Sequence, residues 1–372
     1  MNGRYIGLMS GTSLDGVDGV LVEWRREDDA SPHVLAHAHR PFDHDLRGEL
    51  LALNTRGEDE LHRAALAGNA LARAYARVVA ELLARTGTAA DSVVAIGAHG
   101  QTVRHRPQQF DGTGYTLQLN NPSLLAELTG IDVVADLRSR DVAAGGQGAP
   151  LVPAFHRAVF GRAGQASAVL NLGGIANLTL LGDDGSVRGF DCGPANALLD
   201  HWVNRQRGEP FDAGGGWAAS GRVDARLLAD LQAEPYFALP PPKSTGRDLF
   251  DAEWLQRHVG PFRALAAEDV QATLAELTAW ACARDLRHHL PDAAELLVCG
   301  GGALNAHLMA RLSAHLPGVH VCTTAARGLP PDQVEACAFA WLARAFVMRQ
   351  PGAIPAVTGA HAARVLGALY PR

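Results

Sequence analysis

The sequence predicts an α/β protein of two domains. Strand-like apolar runs alternate along the chain with stretches of helical spacing. At 372 residues the chain is long for one core and suits two of ordinary size. A strand, glycine-loop, strand outline also occurs once in each half, as YIGLM–SGTSLDG–VDGVLVEW near the start and as AVLNLGGIANLTLL past the middle.

The elements follow in order. YIGLM and VDGVLVEW read as two strands around the loop MSGTSLDGVDG. From about Glu58 to Thr86 apolar residues recur at helical spacing. VVAIG (93–97) is a short buried strand ending at AHGQTV. Asn121 caps, Pro122 opens and Gly130 closes a helix over PSLLAELT. IDVVAD is a strand, LRSRDVAAGGQGAP a polar loop and LVPAFHRAVFG a helix. RAGQAS, near residue 165, marks a domain boundary, giving domains 1–164 and 165–372, with a late helix able to return to the first. Two strands around NLGGIAN, a turn at GDDG, a third strand and a helix from Pro194 come next. The proline-rich ALPPPKSTGRDLF interrupts the second half. Helical spacing runs from about Val270 to His289. ELLVCGGGALNAHLMARL reads as strand, turn and helix, and QVEACAFAWLARAFV as a late helix.

Composition narrows the function. Hydrophobic residues at 47% and charged residues at 19% describe a globular chain. The net charge of -6, with no basic run interleaved with aromatics, argues against nucleic acid or an anionic membrane surface as partner. Lys243 is the only lysine, so the Gly-Lys-Ser/Thr of a Walker A loop is excluded. Five cysteines (192, 282, 299, 322, 337), odd in number and without a C-x-x-C pair, fit a reducing cytoplasmic location. No signal peptide and no apolar run of the ~20 residues a membrane helix needs is seen.

Three glycine loops carry the chemistry. Ser10, Gly11, Thr12, Ser13, Leu14, Asp15 and Gly16 combine hydroxyls, glycines and an acid in one turn. Successive backbone N–H groups in such a turn form an anion cradle. Asp15 and Asp18 suit phosphate only through a divalent cation, for which Mg²⁺ is the fit. On spacing alone, a plain hairpin and an anion loop fit equally. Asn171, Gly173, Gly174 and Asn177 make the matching loop of the second half, and two such loops can clamp a triphosphate. Gly300, Gly301, Gly302 and Asn305 follow a buried strand and open a helix, where N–H groups favour anions. Asp191 falls at a strand end, where catalytic groups of α/β sheets collect, and can serve as a general base. Spacing alone favours a turn former or cap there. His99, Gln101, Thr102, Asn120, Asp136 and Arg138 lie in segments dense in hydrogen-bonding groups, which suit a polyhydroxylated substrate.

The loops resemble those of the anhydro-N-acetylmuramic acid kinase family. The matching segments run in order from Met9 to Asn305: MSGTSLDGVDGVL, GAHGQTVRHRP, LQLNNPSLLAELTGIDVVADLRSRDVAAGGQGAPLVPAFH, NLGGIANLTLL, GFDCGPANALLD, PPKSTGRDLF and VCGGGALN. The resemblance implies the actin-like ATPase fold of sugar kinases and heat-shock chaperones, two α/β domains around a nucleotide cleft. It implies a dimeric cytoplasmic enzyme of cell-wall recycling that uses ATP and Mg²⁺. That enzyme hydrolyses the 1,6-anhydro bond of 1,6-anhydro-N-acetylmuramic acid and phosphorylates O6. By the same resemblance residues 10–16 and NLGGIAN hold the phosphates, GGGALN lies near adenosine, Asp191 is the base, and the HGQT and ADLR segments line the sugar site.

The family pattern GFDTGPGN is altered here, with Cys192 and Ala195 in place of Thr and the second Gly, and Asp248 stands where Glu is usual. Two other readings use the same loops. A kinase for another amino sugar would not require the anhydro bond, and an actin-like nucleotide sensor would bind nucleotide without sugar-stimulated ADP release.

Overall fold

β1 (Gly3–Met9) and β2 (Gly16–Trp24) form the antiparallel pair that the two apolar runs predict, with Met9 opposite Asp18. In the computed structural model residues 3–372 are described, except Thr12, Asp28, Arg247 and Asp248. Most of β1 and β2 is buried, which is why each reads as an almost continuous apolar run. β3 (His33–Pro41) pairs with β2 on the outer side, a strand that HVLAHAHRP does not announce because its histidines and arginine break the apolar pattern. The Glu60–Thr86 helix follows, and Leu71, Tyr75, Val78, Val79 and Leu82 bury its stripe on the sheet.

β4 (Val93–Ala98) runs parallel to β1. β5 (Gln101–Pro107) and β6 (Gly114–Leu119) form a separate hairpin. The next helix, Pro122–Thr129, has the punctuation read from sequence. Asn121 Oδ1 accepts the Leu124 N–H at 3.0 Å, and Gly130 closes the helix at φ 65°. IDVVAD yields only the three-residue β7 (Val133–Ala135), parallel to β4, and the polar loop after it contains a short helix, Ser139–Ala143.

The second sheet starts with β8 (Ser167–Leu172), β9 (Ile175–Leu181) and β10 (Val187–Pro194), an antiparallel meander. β11 (Glu295–Cys299) is parallel to β8, and β12 (His320–Thr323) is parallel to β11. The order β10-β9-β8-β11-β12 repeats the plan β3-β2-β1-β4-β7 of the first sheet. A meander of three strands followed by parallel additions, used twice, is the actin-like plan expected. The helix expected from Pro194 starts at Asn196, because Gly193-Pro194 still belongs to β10. Ala267–His289 is the long central helix of this unit, buried along most of its length.

The chain then returns. The Val334–Val347 helix lies directly on β1 and β4. A Cβ on Gly7 would sit 1.8 Å from the Ala336 carbonyl oxygen, and one on Gly97 would sit 2.0 Å from that of Phe339. Only glycine lets helix and strand backbones approach so closely. β13 (Ala368–Tyr370) adds antiparallel to β7 and completes the first sheet. The two compact units are therefore Met1–Val159 with Gln333–Arg372, and Phe160–Asp332. The division falls a few residues before 165, and the last forty residues do not belong to the second domain. They complete the first unit, since the Val334–Val347 helix covers its central strands on the face that carries Gly7 and Gly97.

Candidate active site

In the first unit the turn between β1 and β2 is fastened from below. Ser10 is buried, lies 2.9 Å from the Tyr75 hydroxyl and donates to the Gly100 carbonyl at 3.1 Å. The Gly11 carbonyl accepts from Gln101 Nε2 at 3.0 Å and from Leu14 N–H at 3.2 Å. Leu14 holds φ 56° and inserts its side chain between Leu46, Leu50, Leu53 and Val103. A non-glycine residue at positive φ is sustained only where packing over-determines it. The N–H groups of Gly11 and Ser13 donate to no backbone group among the described residues. Gly16 closes the turn against the Arg40 carbonyl. Thr12 lies outside the described residues.

Carboxylates gather beside this turn. Asp15 is exposed and takes the Ser13 hydroxyl at 2.8 Å. Asp18 Oδ1 faces His39 at 3.0 Å and His37 at 3.3 Å. Glu335, in the first turn of the returning helix, completes the set. Its carboxyl is pushed up to about 6, first by burial and then by the charge of Asp18, with Arg138 opposing and Asp15 adding to the rise. Glu335 has no sequence signal. An acid in a first helical turn reads as an ordinary partner of the helix dipole.

The residues expected at the sugar turn out to be braced rather than free. His99 is buried, and its Nδ1 meets the Ser10 carbonyl at 3.2 Å while Nε2 meets the Arg138 guanidinium at 2.9 Å. Burial, then Arg138, lowers its pKa to about 3. Arg138 also donates to the Gly148 carbonyl at 2.8 Å. Gln101 is fully buried with Oε1 unpartnered among the described residues, and Thr102 accepts from Gln118. Asp136, exposed at φ 54° just past β7, takes the Ser139 hydroxyl. Asn120 differs. Both polar atoms of its carboxamide are buried and unpartnered among the described residues. A buried amide in that state calls for a polar ligand or water.

In the second unit Gly173-Gly174 turns β8 into β9. The carbonyl of Gly173 accepts the Asn196 N–H at 3.0 Å, and that of Gly174 accepts from Ala195 at 3.0 Å and Ala197 at 3.1 Å. Both carbonyls are therefore taken by the start of the next helix. The Asn196 carboxamide donates to the Leu172 carbonyl at 2.9 Å. Asn171, Asn177 and Asp191 stand opposite one another on β8, β9 and β10, so they form one polar row on a single face.

Asp191 is held by its neighbours on three sides. Its Oδ2 accepts the Thr245 N–H at 3.0 Å, its own N–H donates to the Lys243 carbonyl at 3.1 Å, and its carbonyl accepts the Tyr236 hydroxyl at 2.8 Å. Burial raises its pKa to about 6, against the Thr245 amide and the Lys243 charge, which lower it. Cys192 is the extra residue of a bulge and turns into the core beside Cys282. Ala195 is buried, with φ −122° and ψ −112°. Neither departure from the family pattern touches the Asp191 carboxylate among the described contacts. Asp248 and Arg247 lie outside the described residues.

GGGALN does not itself open the helix. Gly300 sits at φ 79° and donates to the Pro331 carbonyl at 2.8 Å, and Gly301–Leu304 make a tight turn. Asn305 caps the Ala306–His315 helix by accepting the Leu308 N–H at 2.9 Å. Gly302 is a close-approach glycine, since a Cβ there would lie 2.6 Å from that of Leu172.

The duplicated plan of the two sheets is that of the actin-like fold. Residues 3–372 match the family described as "Anhydro-N-acetylmuramic acid kinase". The chain is 64% identical over 372 residues to the anhydro-N-acetylmuramic acid kinase of Variovorax paradoxus (strain S110), covering 99% of this chain and 98% of that one. It is 58% identical over 391 residues to that of Albidiferax ferrireducens, covering all of both. Among solved structures, component A of (R)-2-hydroxyglutaryl-CoA dehydratase from Acidaminococcus fermentans superposes at a TM-score of 0.49 with 11% identity, covering 91% of this chain and 96% of that one. The chain belongs to the anhydro-N-acetylmuramic acid kinase family.

Proposed function

We propose that this chain opens the 1,6-anhydro bond of 1,6-anhydro-N-acetylmuramic acid with water and transfers the γ-phosphoryl group of ATP to O6, with Asp191 as the base. A kinase of this family uses ATP and a sugar. The single observation that carries the role of Asp191 is its setting: a mostly buried carboxylate, raised to about 6, with one oxygen fixed by a backbone amide. Such a group is ionised at neutral pH and basic enough to accept a proton.

In the reaction Asp191 takes a proton from water as the water oxygen bonds to the anomeric carbon. The bond from that carbon to O6 breaks, and its electron pair stays on O6. O6 then attacks the γ-phosphorus, and ADP leaves. The product is N-acetylmuramic acid 6-phosphate, which places the chain in peptidoglycan recycling.

In this reading residues 10–16 and 171–177 cradle phosphate through backbone N–H groups, and the 300–305 turn meets adenosine. The N–H groups of Gly11 and Ser13, which meet no backbone acceptor among the described residues, support the first of these assignments. Asn120, with its unpartnered carboxamide, is the best-supported sugar contact of the first unit. Asp136 and Thr102 are kept as sugar contacts with it, while His99, Gln101 and Ser10 act through the loops they brace.

The donor set beside the first turn fits Mg²⁺. It consists of hard carboxylate oxygens, and the Glu335 carboxyl is raised first by burial and then by the charges of Asp18 and Asp15. Asp15 and Glu335 would hold the ion, with Asp18 already shared by two histidines. When bound, Mg²⁺ neutralises charge developing on the transferring phosphoryl group.

The test is the purified protein with MgATP and the anhydro sugar. ADP and the 6-phosphosugar should form together, and Asp191→Asn should lose most turnover while still binding nucleotide. Absence of both products would sink the activity, and near-normal turnover of the variant would remove Asp191 as base.

A further inference from the structure

Lys243, the only lysine of the chain, points inward. Its side chain is 2% exposed, and its ammonium lies 2.9 Å from Oδ2 of Asp285, which is 4% exposed on the Ala267–His289 helix. Its ammonium also lies 5.1 Å from the ring centre of Tyr236 and 5.9 Å from that of Phe190. No other polar group of the described residues satisfies it. Burying a lysine this way carries a large desolvation penalty, and apolar residues of similar volume often serve stability as well or better. The pair is therefore poorly explained by packing alone.

Its surroundings suggest another use. Residues 239–246 form an irregular strap with no helix or strand. Two backbone groups of that strap meet Asp191: the Lys243 carbonyl takes the Asp191 N–H, and the Thr245 N–H donates to the Asp191 carboxylate. The two aromatic rings near the ammonium belong to Phe190, next to Asp191 in β10, and to Tyr236, whose hydroxyl donates to the Asp191 carbonyl. Three partners of Asp191 among the described residues, Lys243, Thr245 and Tyr236, thus border the buried ammonium or share its strap.

We propose that Lys243 is the positioning residue of Asp191: its ammonium, held by Asp285, pins the 239–246 strap so that the Thr245 amide stays on the carboxylate and aims its other oxygen. This rests on Asp191 being the base. The positive charge has a second effect, since it favours the ionised carboxylate against burial. Among the described residues the titratable groups around Asp191 are Lys243 from the strap, Tyr236 from the turn before it, Cys192 on β10, and Asp285, Cys282 and His289 on or at the end of the helix.

Lys243→Met combined with Asp285→Asn removes both charges and leaves no buried ion alone. With folding checked by thermal melting, kcat should fall about tenfold or more with both KM values little changed. The acid limb of kcat/KM should move up by about half a pH unit, because the lost positive charge no longer favours the carboxylate. Wild-type kcat and an unmoved acid limb in the folded double variant would overturn the proposal.

A second measurement needs no change at Lys243. Since the chain has one lysine, ¹³C- and ¹⁵N-labelled lysine gives a single side-chain signal. That signal should shift as the pH crosses about 6 and stay still there in Asp191→Asn. A wild-type signal that ignores this range overturns the coupling. Asp191→Asn assayed alongside separates the two readings. If it is active, the base assignment falls and the Lys243 role with it. If it is inactive while the double variant behaves as wild type, only the Lys243 role falls.

Discussion

At His99 the neighbours fix the proton. A carbonyl can only accept, so Nδ1 facing the Ser10 carbonyl carries the hydrogen, and Nε2 accepts from Arg138, which can only donate. A neutral ring of one tautomer follows, in line with its depressed pKa. The sequence marks this residue as polar and near a strand end but not that both nitrogens are spent inside the unit. Ser10 shows the same limit, since a hydroxyl in a glycine loop reads as a phosphate donor until Tyr75 and Gly100 are seen on it. Asp191 is the opposite case. Its position was legible, but its basicity was not, because burial raises it and the Thr245 amide that opposes the rise comes from 54 positions away. That basicity gives a prediction with a definite sign. The base works ionised, so kcat/KM should be level above pH ~6 and fall tenfold per unit as the pH drops well below it. A profile flat to pH 4.5 would contradict the assignment.

At the scale of elements, strands with unbroken apolar runs and helices with caps were readable, as β1, β2 and the Pro122–Thr129 helix show. β3, the β5–β6 hairpin and β13 were not, because their residues are mixed and their pairing partners supply most of the reason to be strands. The late helix was visible, yet nothing in QVEACAFAWLARAFV names its seat. Gly7 and Gly97 name it only once the strands are placed. Gly97→Ala should therefore destabilise the protein by about 3 kcal/mol through overpacking against the Phe339 carbonyl. Denaturant unfolding checks this, and a loss under about 0.5 kcal/mol, the range of ordinary surface changes, would mean that the helix yields freely.

At the scale of the molecule, two copies of one sheet plan were suggested by paired glycine hairpins, and the sheet orders repeat as that outline implies. The discontinuity of the first unit was legible only as a late helix able to return to it, and its extent was not, since composition does not change where the chain returns at Gln333. Among the described residues no helix is long and apolar enough to cross a membrane. A chain ending at Asp332 should keep Phe160–Asp332 protected from protease while residues 3–159 are cut. Equal protection of both segments would show that β1 and β4 do not need the returning helix.

The same discontinuity sets an order of events during synthesis. The second unit is continuous and has every residue it needs as soon as Asp332 has left the ribosome. The first unit, although made earlier, must wait for Gln333–Arg372, a delay on the order of 10–40 s at ordinary elongation rates. Throughout that interval the strand faces carrying Gly7 and Gly97 have no helix upon them. The nascent N-terminal segment is thus the part of this protein that depends most on being shielded before release.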